Sequence, residues 1–441
     1  MPRTTRSRRD PLQVSIQNAL QPGHFTYAGP GFASGLDEVL AQIERLAPTE
    51  PSRAVALLET YFAACYEKAE EVDDSDAELG MFVERLVCAW IRARQAAGAP
   101  PEQTARWLLD RMDDDPYGFC YQIEREAAKA LDKKGRLAWE RLVRARFDAA
   151  PGKEAANTPA AFERRRSAEI LRAIYTAQGN IARYVELCEQ SGLVPKDCQI
   201  VAEMLQAKDK LPEAFSWVER GLLLTGKEQF AAGADRLAGM KRQLLRKLGR
   251  GQEALDDAWA EFEAQPSKYS YEELMRYVPN AKRVDWHRKA MDAAEGGALS
   301  SLIELWLETK EIDRLARRLG EASHRQLEGI SHYVTEPAAQ RLEASHPGVA
   351  AKVYRALCLR IINEAKSKYY AAALANLRNA KACYEKAGLG DEWKAVVAQV
   401  RREHSRKSGF MPGFESIVAG LRSVRAPSFL DRARKRWLKP E

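Results

Sequence analysis

The stretch LGMFVERLVCAWI, residues 79–91, decides the fold class. Leu79, Phe82, Val83, Leu86, Val87, Trp90 and Ile91 recur at steps of three and four. That spacing draws one apolar stripe down a helix of 3.6 residues per turn and leaves the charged residues on the other side. The same texture runs both ways from this stretch. Nearly everything from residue 34 onward reads as amphipathic helix, and only His24 to Ala28 hints at a strand. Helix starts are marked by Ser34-x-x-Asp37, Ser75-x-x-Glu78 and Ser270-x-x-Glu273, which fit the capping box, and by Pro51 and Pro101 as first helical residues.

A second rhythm appears after residue 161. A short turn followed by an amphipathic helix recurs from Gly179, Lys210, Gly251, Lys282, Lys310 and His346. The intervals suit a two-helix repeat, in which one pair cannot bury its apolar face alone and neighbours stack. The reading is an all-α protein. An irregular basic arm (1–33) precedes an N-terminal helical unit (34–150). A small, polar linker (151–161) leads to a tetratricopeptide-like α-solenoid of helix pairs (162–415), and a basic tail (416–441) follows.

With 441 residues, 45% of them apolar and 30% charged, the chain has ample material for a large core and is not of the disordered class. No uncharged stretch approaches the roughly 18 apolar residues of a membrane span. The net charge of +7 is unevenly placed. Residues 1–10 carry +3 and residues 421–441 carry +5, so 11–420 carry −1. Seven widely spaced cysteines without a CxxC pair fit a reducing compartment, and the N-terminus lacks the apolar core of a secretory signal. A cytoplasmic location is expected.

The segments Ala63–Leu131 and Ala350–Phe410, the latter closing on RREHSRKSGF, resemble an uncharacterised bacterial family known only as a domain of unknown function. The C-terminal segment is also similar to the tail of bacterial SWIM-type zinc-finger proteins. The resemblance implies a helical-repeat fold and a bacterial cytoplasmic origin, and it implies no activity. The SWIM zinc signature itself is absent, so no metal is carried over.

Catalytic and metal signatures are missing from the sequence. There is no GxSxG, HExxH or P-loop, and no cofactor is expected. Asp73, Asp74, Asp76 and Glu78 lack the glycine of a calcium loop and read as the acidic start of a helix. His324 and His332 would share a face only if one helix spanned both. Two features stand out as candidate interaction sites. Asp113, Asp114 and Asp115 run into Tyr117, Phe119 and Tyr121, an acidic and aromatic loop. Arg3, Arg6, Arg8 and Arg9, with Arg432, Arg434, Lys435, Arg436, Trp437 and Lys439, are candidates to grip a polyanion. The expected function is a non-catalytic scaffold or adaptor with a protein partner. The alternatives are nucleic-acid binding through the basic tails, and an enzyme whose site is assembled from distant helices.

Overall fold

The computed structural model describes residues 10–150, 158–226 and 233–421. The chain divides into two compact units, Met1–Leu244 and Leu245–Glu441. Among the described residues of the first lie α1 (Pro11–Leu20), α2 (Pro30–Leu46), α3 (Pro51–Lys68), α4 (Glu78–Ala96), α5 (Pro101–Asp113), α6 (Glu124–Ala130), α7 (Lys133–Ala149), α8 (Pro159–Gln178), α9 (Ile181–Ser191), α10 (Pro195–Gln206) and α11 (Leu211–Thr225). The division falls within α12 (Ala234–Lys247). The second unit continues with α13 (Gly251–Ala264), α14 (Lys268–Tyr277), α15 (Arg283–Ala294), α16 (Leu299–Thr309), α17 (Ile312–Glu321) and α18 (His324–Gly329). It closes with α19 (His332–Leu342), α20 (Pro347–Asn363), α21 (Tyr370–Lys386), α22 (Gly390–His404) and α23 (Met411–Val418). The fold is all-α, a helical N-terminal part followed by a succession of helix pairs.

In the first unit α4 is the central helix. All seven residues of its stripe are buried, packed by α2, α3 and α6. Each large side chain removed from water there contributes about 1.5–3 kcal/mol. Pro51 and Pro101 open α3 and α5, as do Pro11, Pro30 and Pro159 for α1, α2 and α8. A missing N–H does no harm at a first helical position. The stretch expected to be irregular, 1–33, therefore contains α1 and the start of α2: Pro11 and Pro30 begin helices instead of breaking them, and Pro22 lies in the turn after α1. Asp10 caps α1 by accepting from the Leu12 N–H at 3.0 Å, and Ile16 and Leu20 are buried.

The expected capping boxes shift register. Ser34 and Asp37 lie inside α2, where the Asp37 carboxylate accepts from Nε and Nη2 of Arg85, each at 3.0 Å. At α4 the cap is Asp74, which accepts from the Leu79 and Gly80 N–H groups at 2.8 and 3.2 Å. At α14 the N-cap is Ser267, and Ser270 is its partner three residues on. At α2 no side chain caps the start, which opens on Gly29 and Pro30, whereas at α4 and α14 neighbouring short polar side chains compete for the role. Residues 151–157 lie outside the described part; α7 and α8, on either side of them, pack on each other within the first unit.

From α8 to α17 the helices come in pairs. The six sequence signals mark the starts of α9, α11, α13, α15, α17 and α20 to within two residues. The first five are every second helix. One turn recurs with them. A residue with left-handed backbone stands two positions before α9 (Gly179), α11 (Asp209), α13 (Gly249), α17 (Lys310) and α22 (Gly388). In each, the next N–H reaches back five residues to a carbonyl: Asn180 to Tyr175, Lys210 to Leu205, Arg250 to Leu245, Glu311 to Trp306 and Leu389 to Tyr384, at 2.8–3.0 Å. This is the Schellman closure of a helix end. After α17 the alternation gives way to α20, which α17, α18, α19 and α21 pack around. Ala350, Ala351, Ala356, Ala373 and Ala380 are buried there and allow close approach.

Candidate interaction surface

The acidic and aromatic loop is built onto the far end of α3. There Lys68 is buried, 2% exposed. Its Nζ donates to the carbonyls of Gln21, at 3.1 Å, and His24, and to Thr26 Oγ1 at 3.3 Å, with Glu71 at 3.7 Å. A buried ammonium needs such partners. Gathering them draws residues 21–26 against the chain that leaves α3. A short parallel pair then forms, β1 (Thr26–Tyr27) beside β2 (Val72–Asp73).

Asp115 organises the loop after α5. Its carboxylate accepts from the Phe119 N–H at 3.0 Å, the Cys120 N–H at 2.7 Å and the Tyr66 hydroxyl at 2.9 Å. Phe119 is buried and meets Tyr66 edge-on with centroids 5.1 Å apart; Tyr117 lies 5.9 Å from Tyr66. The aromatic packing continues through Phe62 and Trp107 to Trp90, whose ring stacks on Trp107 at 3.9 Å. Tyr117 donates to Glu70 at 3.1 Å, and Tyr27 donates to Asp76. Those hydrogen bonds, made to carboxylates, push both phenols above their ordinary range, so both remain protonated donors.

The six residues expected in this loop thus divide. Asp115 and Phe119 hold the loop together, and Asp113 pairs with Arg146 at 2.7 Å. Asp114, Tyr117 and Tyr121 face solvent, Tyr121 at 72% exposure. The structure also brings in residues that the sequence reading did not connect. Phe25 and Tyr27 are exposed, and Glu70, Asp73 and Asp76 flank them across the β1–β2 pair. Phe25 and Tyr27 were signalled only by the hint of a strand at 24–28, and Asp73 and Asp76 only by the acidic run that reads as a helix start. Among the described residues Glu70, Asp73, Asp76 and Asp114 have no cation within 4.0 Å. The result is a strip of exposed tyrosines and carboxylates, with hydrogen bonds from Tyr117 to Glu70 and from Tyr27 to Asp76 and no cation beside these carboxylates among the described residues.

The other candidates fare differently. Arg3, Arg6, Arg8 and Arg9, and Arg432, Arg434, Lys435, Arg436, Trp437 and Lys439, lie outside the described residues. His324 and His332 fall on separate helices, α18 and α19. Among the described residues no group of three His, Cys, Asp or Glu side chains is placed to hold a metal ion, and no helix is long and apolar enough to cross a membrane. In the second unit His287 joins three helices: its Nδ1 lies 2.7 Å from the Tyr271 hydroxyl and its Nε2 3.0 Å from Glu311 Oε1.

Comparison with solved structures finds a chain of the structure of Naa15/Naa10 bound to HypK-THB, 12% identical, covering 99% of this chain and 72% of that one with a TM-score of 0.28. It also finds a circular tandem repeat protein with novel repeat topology, 14% identical, covering 93% and 98% with a TM-score of 0.19. At those scores neither carries an argument about this protein. A comparison with curated proteins finds no match. The profile of a family of unknown function, DUF6880, matches residues 31–412, and the chain belongs to that family.

Proposed function

We propose that this protein is a non-catalytic, cytoplasmic interaction scaffold or adaptor whose partner is a protein with a basic surface segment. The observation that carries the reading is the strip of exposed tyrosines and carboxylates around Glu70, Asp76 and Asp114, which has no cation partner among the described residues. Tyrosines supply contact area at low entropic cost, and unpaired charge of one sign steers an oppositely charged partner. The tetratricopeptide-like construction supports the same reading, since stacked helix pairs offer long surfaces.

The test is affinity capture from the native host with nuclease present, comparing the wild-type chain with a Glu70→Lys, Tyr121→Ser variant. Both residues are exposed, so the fold should tolerate the change. A stoichiometric partner lost with the variant is the expected result. Equal recovery by both proteins would refute the strip as the docking surface. The charge segregation favours one second reading, nucleic-acid binding by the basic termini. Removing residues 1–9 and 422–441 should then abolish a strongly salt-dependent affinity, because each phosphate contact releases counterions.

A further inference from the structure

In the second unit, α13 and α15 bring two indoles into a corner. The rings of Trp259 and Trp286 have centroids 5.5 Å apart and planes at 74°. Lys289 follows Trp286 by one helical turn and reaches into that corner. Its Nζ stands 3.8 Å from the Trp259 ring centroid and 4.5 Å from that of Trp286. No carboxylate lies within 4.0 Å of this ammonium among the described residues. Two nearly perpendicular π faces, both partly buried, are what hold it.

The electron-rich faces of aromatic rings attract a cation without hydrogen bonds. A corner of two faces selects among cations. A planar guanidinium stacks flat on one face, whereas a compact tetrahedral ammonium touches both at once. We infer that Trp259 and Trp286 form a binding cage for the ammonium group of a partner, a lysine or N-methylated lysine side chain, and that Lys289 is the internal stand-in which this ligand displaces. The site lies in the unit that does not carry the acidic strip, and it stands or falls separately from it.

A self-occupied cage binds more weakly by the fraction of time it is empty. An exposed cation–π contact of ordinary strength corresponds to an effect of about two- to five-fold. The probe is tetramethylammonium chloride, with sodium chloride at equal ionic strength as reference. The readout is the indole N–H resonances of the wild type, Lys289→Gln and Lys289→Met, with Trp259→Phe and Trp286→Phe assigning the two signals. The expected result is a saturable shift of both signals, with affinity about two- to five-fold higher in the two Lys289 variants. Lys289 is exposed, so both should fold, and circular dichroism checks it. Absence of a saturable shift in those variants, or the same affinity with and without the Lys289 ammonium, overturns the inference.

Discussion

Acidification should strain the second unit at one imidazole. His324 opens α18 beside α20, and its Nε2 lies 3.1 Å from Arg355 Nη1. A guanidinium only donates, so Nε2 is the acceptor and the ring proton is on Nδ1, which is buried without a partner. The far arm of Arg355 donates to Gln399 Oε1 at 2.6 Å. Protonating Nε2 would break the bond to Arg355 and set a second positive charge beside it. Burial, helped by Arg355 and then Lys352, lowers the pKa of His324 from 6.5 to about 4. The unfolded chain restores the ordinary value, so it takes up the proton first as the pH falls. Stability attributable to this site is therefore intact above pH 6.5 and is lost progressively down to about pH 4. Full loss corresponds to on the order of 3 kcal/mol, and partial exposure of the ring reduces it to about 2 kcal/mol between pH 7 and 4.5. His324→Gln keeps an oxygen that can accept from Arg355 and does not titrate. Urea unfolding followed by tryptophan fluorescence, at several pH values, should show the wild type losing about 2 kcal/mol more than the variant across that range. His404, held low chiefly by burial, is common to both proteins and cancels. Parallel loss of stability in the two would refute the assignment of the proton.

Asp197 is buried and accepts from Arg172 at 2.9 Å, the Tyr184 hydroxyl at 2.8 Å and the Val194 N–H at 3.2 Å. Asp197→Ala leaves Arg172 uncompensated and should cost about 3–5 kcal/mol in urea unfolding, with Asp197→Asn losing less. Lys310 occupies its turn with φ at 62°, so Lys310→Gly should raise stability by about 0.5–1 kcal/mol; a fall would show that the side chain contributes more than the backbone strain costs. All seven cysteines are buried, and burial pushes Cys88, Cys120 and Cys198 up to about 11 and Cys188 and Cys358 up to about 12. A thiol-reactive chromogen at pH 8 should label the native chain slowly and all seven thiols promptly in denaturant, because the thiolate is the reacting form. Prompt native labelling would place a thiol at the surface.

The helices were legible where the information is local. The stripe at 79–91 and the six recurring starts each sit within one turn or one helix, and periodicity alone reveals them. The caps were less legible, because Ser267 and Ser270, or Asp74 and Ser75, offer the backbone similar hydrogen bonds and only packing separates them. Asp209 and Lys310 carry no signal of their left-handed backbone, which Gly179 and Gly388 announce. At the candidate surface, the loop at 113–121 stood out by composition. What joins it to Tyr27 and Asp76 is the pairing of residues 26 and 72 and the reach of Lys68, contacts across more than forty positions. Lys289 and Trp259 likewise meet through tertiary packing.

The turn that recurs before α9, α11, α13, α17 and α22 keeps its hydrogen bond while its residue changes. Segment 181–210 begins just after one copy of that turn and ends just after the next. It could be duplicated or excised with both cut ends meeting an equivalent junction. A family built this way can lengthen or shorten by whole modules, and length variants among its members should differ by helix pairs, with α20 and its neighbours left whole.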